Sequence, residues 1–185
     1  AVLFVPGDAG KVRRWDVKSG KELPPLEAGD KPVLGLALSA DGKMLTAACD
    51  GMVRVWDVGQ AKAVHEIPLA ADDVSALALS PDGKDVAAAM NGVIHIWETA
   101  TGKECVPTSG HTAAVAAVAL SPKGNVAATA GEDGTVRLWD AASGKELHVC
   151  EGKGLRPLFL AFSADGATLL SGGAGGEVRV WDVAT

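Results

Sequence analysis

The residue types that could do chemistry in this chain are four histidines, three cysteines, a few clustered acids and one glycine-rich run. A metal site needs three or four converging ligands, and the sequence shows no HxH, HxxxH or CxxC spacing. The run 172–176 resembles a phosphate-binding loop, but no GxxxxGK[ST] motif accompanies it. Asp72 and Asp73 fall in one predicted loop, and no GxSxG motif or Ser-His-Asp set is evident. We therefore predict a non-catalytic chain without metal or cofactor.

The overall charge narrows the class of partner. The net charge is −6 and the isoelectric point is about 5.2. Binding to nucleic acid or to an anionic membrane surface needs a basic patch, so we expect neither. The sequence shows no apolar run of about 20 residues and no basic-then-apolar leader. The odd cysteine count indicates free thiols in a reducing compartment. We expect a cytoplasmic protein, although the chain begins at Ala1 and its natural N-terminus can lie upstream.

The tryptophans reveal the elements that must position these residues. All five lie at one repeating position, with intervals of 41, 41, 42 and 42 residues: Trp15, Trp56, Trp97, Trp139 and Trp181. Each is followed directly by an acid. A fixed period of this length is typical of stacked structural units.

The clearest copy of the unit is residues 110–147, which Gly-containing turn signals interrupt every 8 to 12 residues. A helical repeat needs uninterrupted amphipathic stretches of about ten or more residues, so we exclude it. The copy predicts four short strands, named a to d, at 115–120, 126–130, 135–140 and 146–150. Strand a recurs at 34–39, 75–80 and 158–163, and strand c at 12–16, 53–57, 93–98 and 178–182. Glycine recurs in the turn between strands c and d, except where Ala61 replaces it.

The repeated marks are Gly110-His111, SPxG or SADG, Asp-Gly, and VRxWD, and together they resemble the WD40 repeat family. The resemblance covers essentially the whole chain. It implies an all-β, WD40-like β-propeller of four-stranded antiparallel blades around a central channel, with about 4.5 blades present. We expect one domain over 1–185, with repeat units at approximately 1–26, 27–67, 68–108, 109–151 and 152–185.

The resemblance also implies a buried polar tetrad in each complete blade. The copy at 110–147 supplies all four members: His111, Thr129, Asp133 and Trp139. Asp133 can accept from the imidazole, and Thr129 can link the imidazole to the indole N–H. The other copies are incomplete. In the second, Thr46 and Ala47 compete for the hydroxyl position, and the last keeps Ser171 with Trp181.

The strand frame predicts three strands, then three sets of four, then three. Because this is not a whole number of four-stranded blades, we expect an arc of a longer propeller. An open arc exposes apolar blade faces and sheet edges, so we also expect self-association through them.

Partner contacts in the WD40 family favour residues flanking the start of strand a and the residue before the turn aspartate. Carried over, the main candidates are Asp8, Leu34, Asp73, Ser75, Met90, Glu132, Arg156 and Leu158. The same pattern of partner contacts also selects Pro32, Cys49, Ala114, Ala116 and Ala174. Leu34, Met90 and Leu158 are expected to be exposed apolar anchors among acids. Ordinary loop residues remain the alternative interpretation.

Two functions follow from this sequence. The first is a non-catalytic protein–protein interaction scaffold or regulatory module. The alternative is a central-channel ligand-binding or hydrolytic propeller whose site residues lie partly outside this chain.

Overall fold

The computed structural model describes residues 1–69, 74–91, 93–105, 110–151 and 157–184. Within these ranges the chain forms eighteen β-strands and no helix. This part of the chain therefore contains no helix long and apolar enough to cross a membrane.

The strands form five antiparallel sheets, here called blades and numbered in chain order. The first blade contains β1 (Val2–Pro6), β2 (Lys11–Asp16) and β3 (Glu22–Glu27). The second contains β4 (Gly35–Leu38), β5 (Met44–Cys49), β6 (Met52–Asp57) and β7 (Lys62–Pro68). The third contains β8 (Val74–Leu79), β9 (Asp85–Met90), β10 (Val93–Glu98) and β11 (Glu104–Cys105).

The fourth blade contains β12 (Val115–Leu120), β13 (Val126–Gly131), β14 (Thr135–Asp140) and β15 (Glu146–Glu151). The fifth contains β16 (Pro157–Phe162), β17 (Thr168–Gly173) and β18 (Val178–Asp182). The all-β class and the antiparallel blades are confirmed, and the strands predicted for residues 110–147 agree to within one residue at each end.

Turn chemistry explains why the strands end where they do. Gly20, Gly102 and Gly144 take φ of 68°, 66° and 71° in the turns between strands c and d. Ala61 takes φ of 52° at the same position of the second blade. A Cβ is unfavourable in this left-handed region, so Ala61 is held there at a cost in stability.

Each tryptophan occupies an equivalent place in its blade. In all five blades the tryptophan lies opposite the second residue of strand b: Leu3, Leu45, Val86, Ala127 and Leu169 face Trp15, Trp56, Trp97, Trp139 and Trp181. Between blades the indoles pack on the preceding sheet, as Trp97 does on Val53 and Ile67. Trp139 packs in the same way on Ile94 and Ile96. The core thus lies between successive blades.

The inner strands join the blades into an arc. Strand β4 packs against β8, β8 against β12, and β12 against β16. The described residues do not close into a ring. On the far face of the fifth blade, Val178 and Val180 are 60% and 66% exposed, whereas Val136 and Leu138 at the same positions of the fourth blade are 0% exposed.

Candidate functional site

The structure brings together the four tetrad side chains of the fourth blade. His111 Nδ1 lies 3.0 and 3.1 Å from the two carboxylate oxygens of Asp133. His111 Nε2 lies 2.7 Å from Thr129 Oγ1, which also accepts from Trp139 Nε1 at 2.9 Å. The chain of contacts spans the blade from the loop before β12 to the tryptophan of β14.

One protonation pattern satisfies all four side chains of the tetrad. Nδ1–H donates to Asp133, Nε2 accepts the Thr129 hydroxyl, and that hydroxyl oxygen accepts the indole N–H. Burial lowers the pKa of His111, although Asp133 acts in the opposite direction. The lowered pKa favours the neutral imidazole that this pattern requires. The network therefore consists of one neutral histidine and one carboxylate.

Asp133 is held by more donors than the tetrad alone provides. Its carboxylate accepts from the Thr112 amide at 2.9 Å and from the Thr135 hydroxyl at 2.7 Å. Burial alone would raise the pKa of Asp133, but donation from Thr112, Thr135 and His111 holds it well below its usual range. Sequence reasoning missed both threonines, although they stand directly after His111 and two residues after Asp133.

Gly131 makes room for the imidazole. A Cβ built on Gly131 would lie 2.2 Å from His111 Nδ1 and 2.7 Å from Asp133 Oδ1. The third blade has Met90 at this place, opposite Val74 as Gly131 is opposite Val115. The histidine of the fourth blade therefore requires a residue without a side chain at the end of strand b.

The blades with an incomplete tetrad differ at the position equivalent to Thr129, which supplies the hydroxyl in the fourth blade. In the second blade the residue equivalent to Thr129 is Ala47, which lies opposite Arg54 as Thr129 lies opposite Arg137. Thr46 faces the other way and donates to the Arg54 carbonyl at 3.1 Å. In the fifth blade Trp181 Nε1 donates to Ser171 Oγ at 2.8 Å.

The candidate partner residues lie where strand a begins beside the turn between strands b and c. The Glu132 amide donates to the Ala114 carbonyl, and the Leu34 amide to the Ala48 carbonyl, both at 2.8 Å. We call this end of the blades the rim. Asp8, Ser75 and Glu132 are exposed, and Leu34 and Leu158 are 50% and 60% exposed. Asp73 and Arg156 lie outside the described residues.

The expectation of an exposed Met90 is wrong. Met90 is 2% exposed and packs with Val53, Ile67 and Val74 in the core between the second and third blades. It stays in register in strand β9, opposite Val93. Because Met90 pairs with Val93 on one side and Val74 on the other, it lies inside the sheet rather than on the rim.

A cavity of about 340 Å³ opens on the rim between the fourth and fifth blades. Four of its lining residues are positions that the sequence pointed to: Ala116, Glu132, Leu158 and Ala174. The fifth is Pro157, at the start of β16, which sequence reasoning missed. Apart from Glu132, which is charged, the described lining residues are thus apolar.

The comparison with known families agrees with this geometry. The family described as WD40 (WD domain, G-beta repeat) matches residues 20–57, 62–98, 103–140 and 144–182, most of the chain. The chain belongs to the WD40 family. WD40 repeats generally mediate protein–protein interaction or scaffolding, and WD40 domains are generally non-catalytic. A comparison with curated proteins gives no significant match.

A cation on strand c pairs with a glutamate on strand d in several of the WD40 blades. Arg13 pairs with Glu22 at 2.8 Å, Arg54 with Glu66 at 2.9 Å, and Arg137 with Glu146 at 2.6 Å. In the third blade His95 takes the place of arginine, contacts Glu104 and stacks on Trp97 with ring centroids 5.6 Å apart. The arginine series therefore links strands within blades, as expected of side chains that pack along a sheet.

The third blade also carries two acids directly opposite each other. Asp85 on β9 faces Glu98 on β10, beside a cavity of about 220 Å³. Burial raises the pKa of Asp85, and the charges of Asp82 and Glu98 raise it further. Within the described ranges, no group of three or more His, Cys, Asp or Glu side chains could hold a metal ion. Because like charges directly opposite each other repel, the pair of Asp85 and Glu98 destabilises the sheet locally.

Proposed function

We propose that this WD40 domain is a non-catalytic scaffold or regulatory module that binds a protein or peptide partner on its rim. The observation that supports this most directly is the cavity between the fourth and fifth blades. Its lining includes four residues that the family's pattern of partner contacts selects from the sequence: Ala116, Glu132, Leu158 and Ala174. Pockets of about 300 Å³ or more, lined by apolar groups with a few polar ones, are typical of binding sites.

Exposed apolar side chains on the same rim support the proposal. Leu34, directly before β4, and Leu158, in β16, are both half or more exposed. Interface hot spots combine such anchors with polar surroundings. The net charge of −6 argues against nucleic acid and anionic membranes as partners.

Two further features belong to this proposal. The exposed valines on the far face of the fifth blade favour self-association of the chain. The thiols of Cys49 and Cys150 are free, which favours the cytoplasm as the location.

A peptide selection tests the proposed function. Phage displaying random twelve-residue peptides would be selected on the immobilised 185-residue chain. Enriched sequences would then be measured as synthetic peptides by fluorescence anisotropy. The double variant Leu34→Ser/Leu158→Ser removes both rim anchors. The control, Val64→Ser/Val149→Ser, changes two residues of similar exposure on strands β7 and β15.

We expect peptides that bind the parent chain and the control equally, and the rim variant at least about fivefold more weakly, because a buried apolar anchor contributes more than about 1 kcal/mol. Selection without enrichment, or equal binding to the rim variant, would contradict the proposal.

A further inference from the structure

The cavity between the fourth and fifth blades has a distinct chemical character. Ala116, Pro157, Leu158 and Ala174 give it carbon walls from two neighbouring blades. Leu158 is 60% exposed, so this apolar surface is open to a partner. Among the described residues that line it, Glu132 is the charged one.

The carboxylate of Glu132 is available for a partner. Within the described part of the chain, its side chain makes no hydrogen bond or ion pair, and its backbone amide is tied to Ala114. The next residue, Asp133, has its carboxylate occupied by donors from Thr112, Thr135 and His111. One free negative charge therefore stands beside an apolar recess.

We propose that this cavity receives a lysine or arginine side chain from the partner peptide. The methylene stem of such a residue matches the alanine, proline and leucine walls, and its cationic head can reach Glu132 at the edge. The inference rests on the proposed function and specifies the chemistry of the partner at one place.

Other side chains fit this recess less well. An acidic side chain would meet Glu132 with the same sign of charge, inside a chain whose net charge is already −6. A purely apolar side chain would cover Glu132 and remove water from it without supplying a counter-charge. A basic side chain can contact the apolar walls with its methylene stem and pair with the carboxylate through its cationic head.

Three matched peptides test the inference: acetyl-Ala-Arg-Ala-amide, the same peptide with neutral citrulline in place of arginine, and the same peptide with glutamate. Each would be titrated into the methyl-labelled 185-residue chain, with the methyl signals of Ala116, Leu158 and Ala174 followed by NMR. The variants are Glu132→Gln and, as a control with the same change in net charge, Glu151→Gln on the exposed face of β15.

We expect the arginine peptide to shift these methyl signals saturably and to bind about 1.4- to fivefold more tightly than the citrulline peptide, since an exposed ion pair contributes about 0.2–1 kcal/mol. Glu132→Gln abolishes that difference, and Glu151→Gln preserves it. If the difference survives Glu132→Gln, or the glutamate peptide binds as tightly, the inference fails. Peptides selected by phage that bind the rim without any basic preference would overturn this inference while leaving the proposed function standing.

Discussion

Replacing Thr129 with valine isolates the contribution of the tetrad to stability. Thr129 is fully buried, and valine has nearly the same shape. The change removes the hydroxyl that lies 2.7 Å from His111 Nε2 and 2.9 Å from Trp139 Nε1. Two buried polar atoms would then lack their partners. At about 1–3 kcal/mol each, with partial relaxation, we expect the free energy of unfolding to fall by about 2–4 kcal/mol.

The assay is equilibrium unfolding in urea, followed by tryptophan fluorescence, with a thermal melt alongside. A loss of this size corresponds to a Tm lower by roughly 5–12 °C for a chain of this length. The matched control is Thr46→Val, because Thr46 is also fully buried but donates one bond, at 3.1 Å, to the Arg54 carbonyl. We expect the control to cost about 1 kcal/mol. If Thr129→Val costs no more than Thr46→Val, the four side chains do not act as a network.

Four further outcomes are expected. Ala61→Gly raises the free energy of unfolding by about 1 kcal/mol in urea titrations, since Ala61 has φ of 52°; no gain would refute strain there. Asp85→Val raises Tm by a few degrees, more at pH 7 than at pH 4, because the pKa of Asp85 is raised; equal gains at both pH values would contradict this. Gly131→Ala costs about 2 kcal/mol or more, whereas Gly175→Ala, where a Cβ meets nothing within 4 Å, is nearly neutral; similar urea midpoints would count against the crowding. Because the pKa of buried His111 is lowered, only the unfolded chain gains this proton as pH falls through about 6.5, so stability falls between pH 7 and pH 5. His111→Ala should have a lower Tm at pH 7 and a flatter pH dependence in thermal melts, and an unchanged slope would be the contrary result.

The sequence was sufficient to predict the blades because two signals coincide. The tryptophan period sets the length of the unit, and turn residues mark the strand ends inside it. The register confirms the equivalence: Trp56 lies opposite Leu45 and Trp139 opposite Ala127. Large indoles need small or aliphatic partners at a constant depth, so their spacing carries information about packing as well as about chain length.

Burial at the ends of strand b could not be predicted in the same way. Strands such as Asp85–Met90 consist mainly of alanine and valine, so they show no alternation of polar and apolar residues from which a face can be read. The sequence therefore places Met90 on the rim, whereas its pairing with Val74 and Val93 keeps it in the core. The same lack of contrast leaves Thr46 and Ala47 as alternatives in the sequence, and the pairing with Arg54 identifies Ala47.

The tetrad and the rim cavity share one turn, and this connects stability with the proposed recognition. Glu132 lies between Gly131, which packs against the imidazole, and Asp133, whose carboxylate is held by His111, Thr112 and Thr135. The hydrogen bonds of Asp133 therefore fix the position of the Glu132 backbone. The opposite wall leaves open space, because a Cβ at Gly175 or Gly176, directly after Ala174, would meet nothing within 4 Å. An acid on a fixed backbone beside an open apolar wall suits recognition of a basic group on stems of different length, since the ion pair sets the position and the open space accommodates the stem.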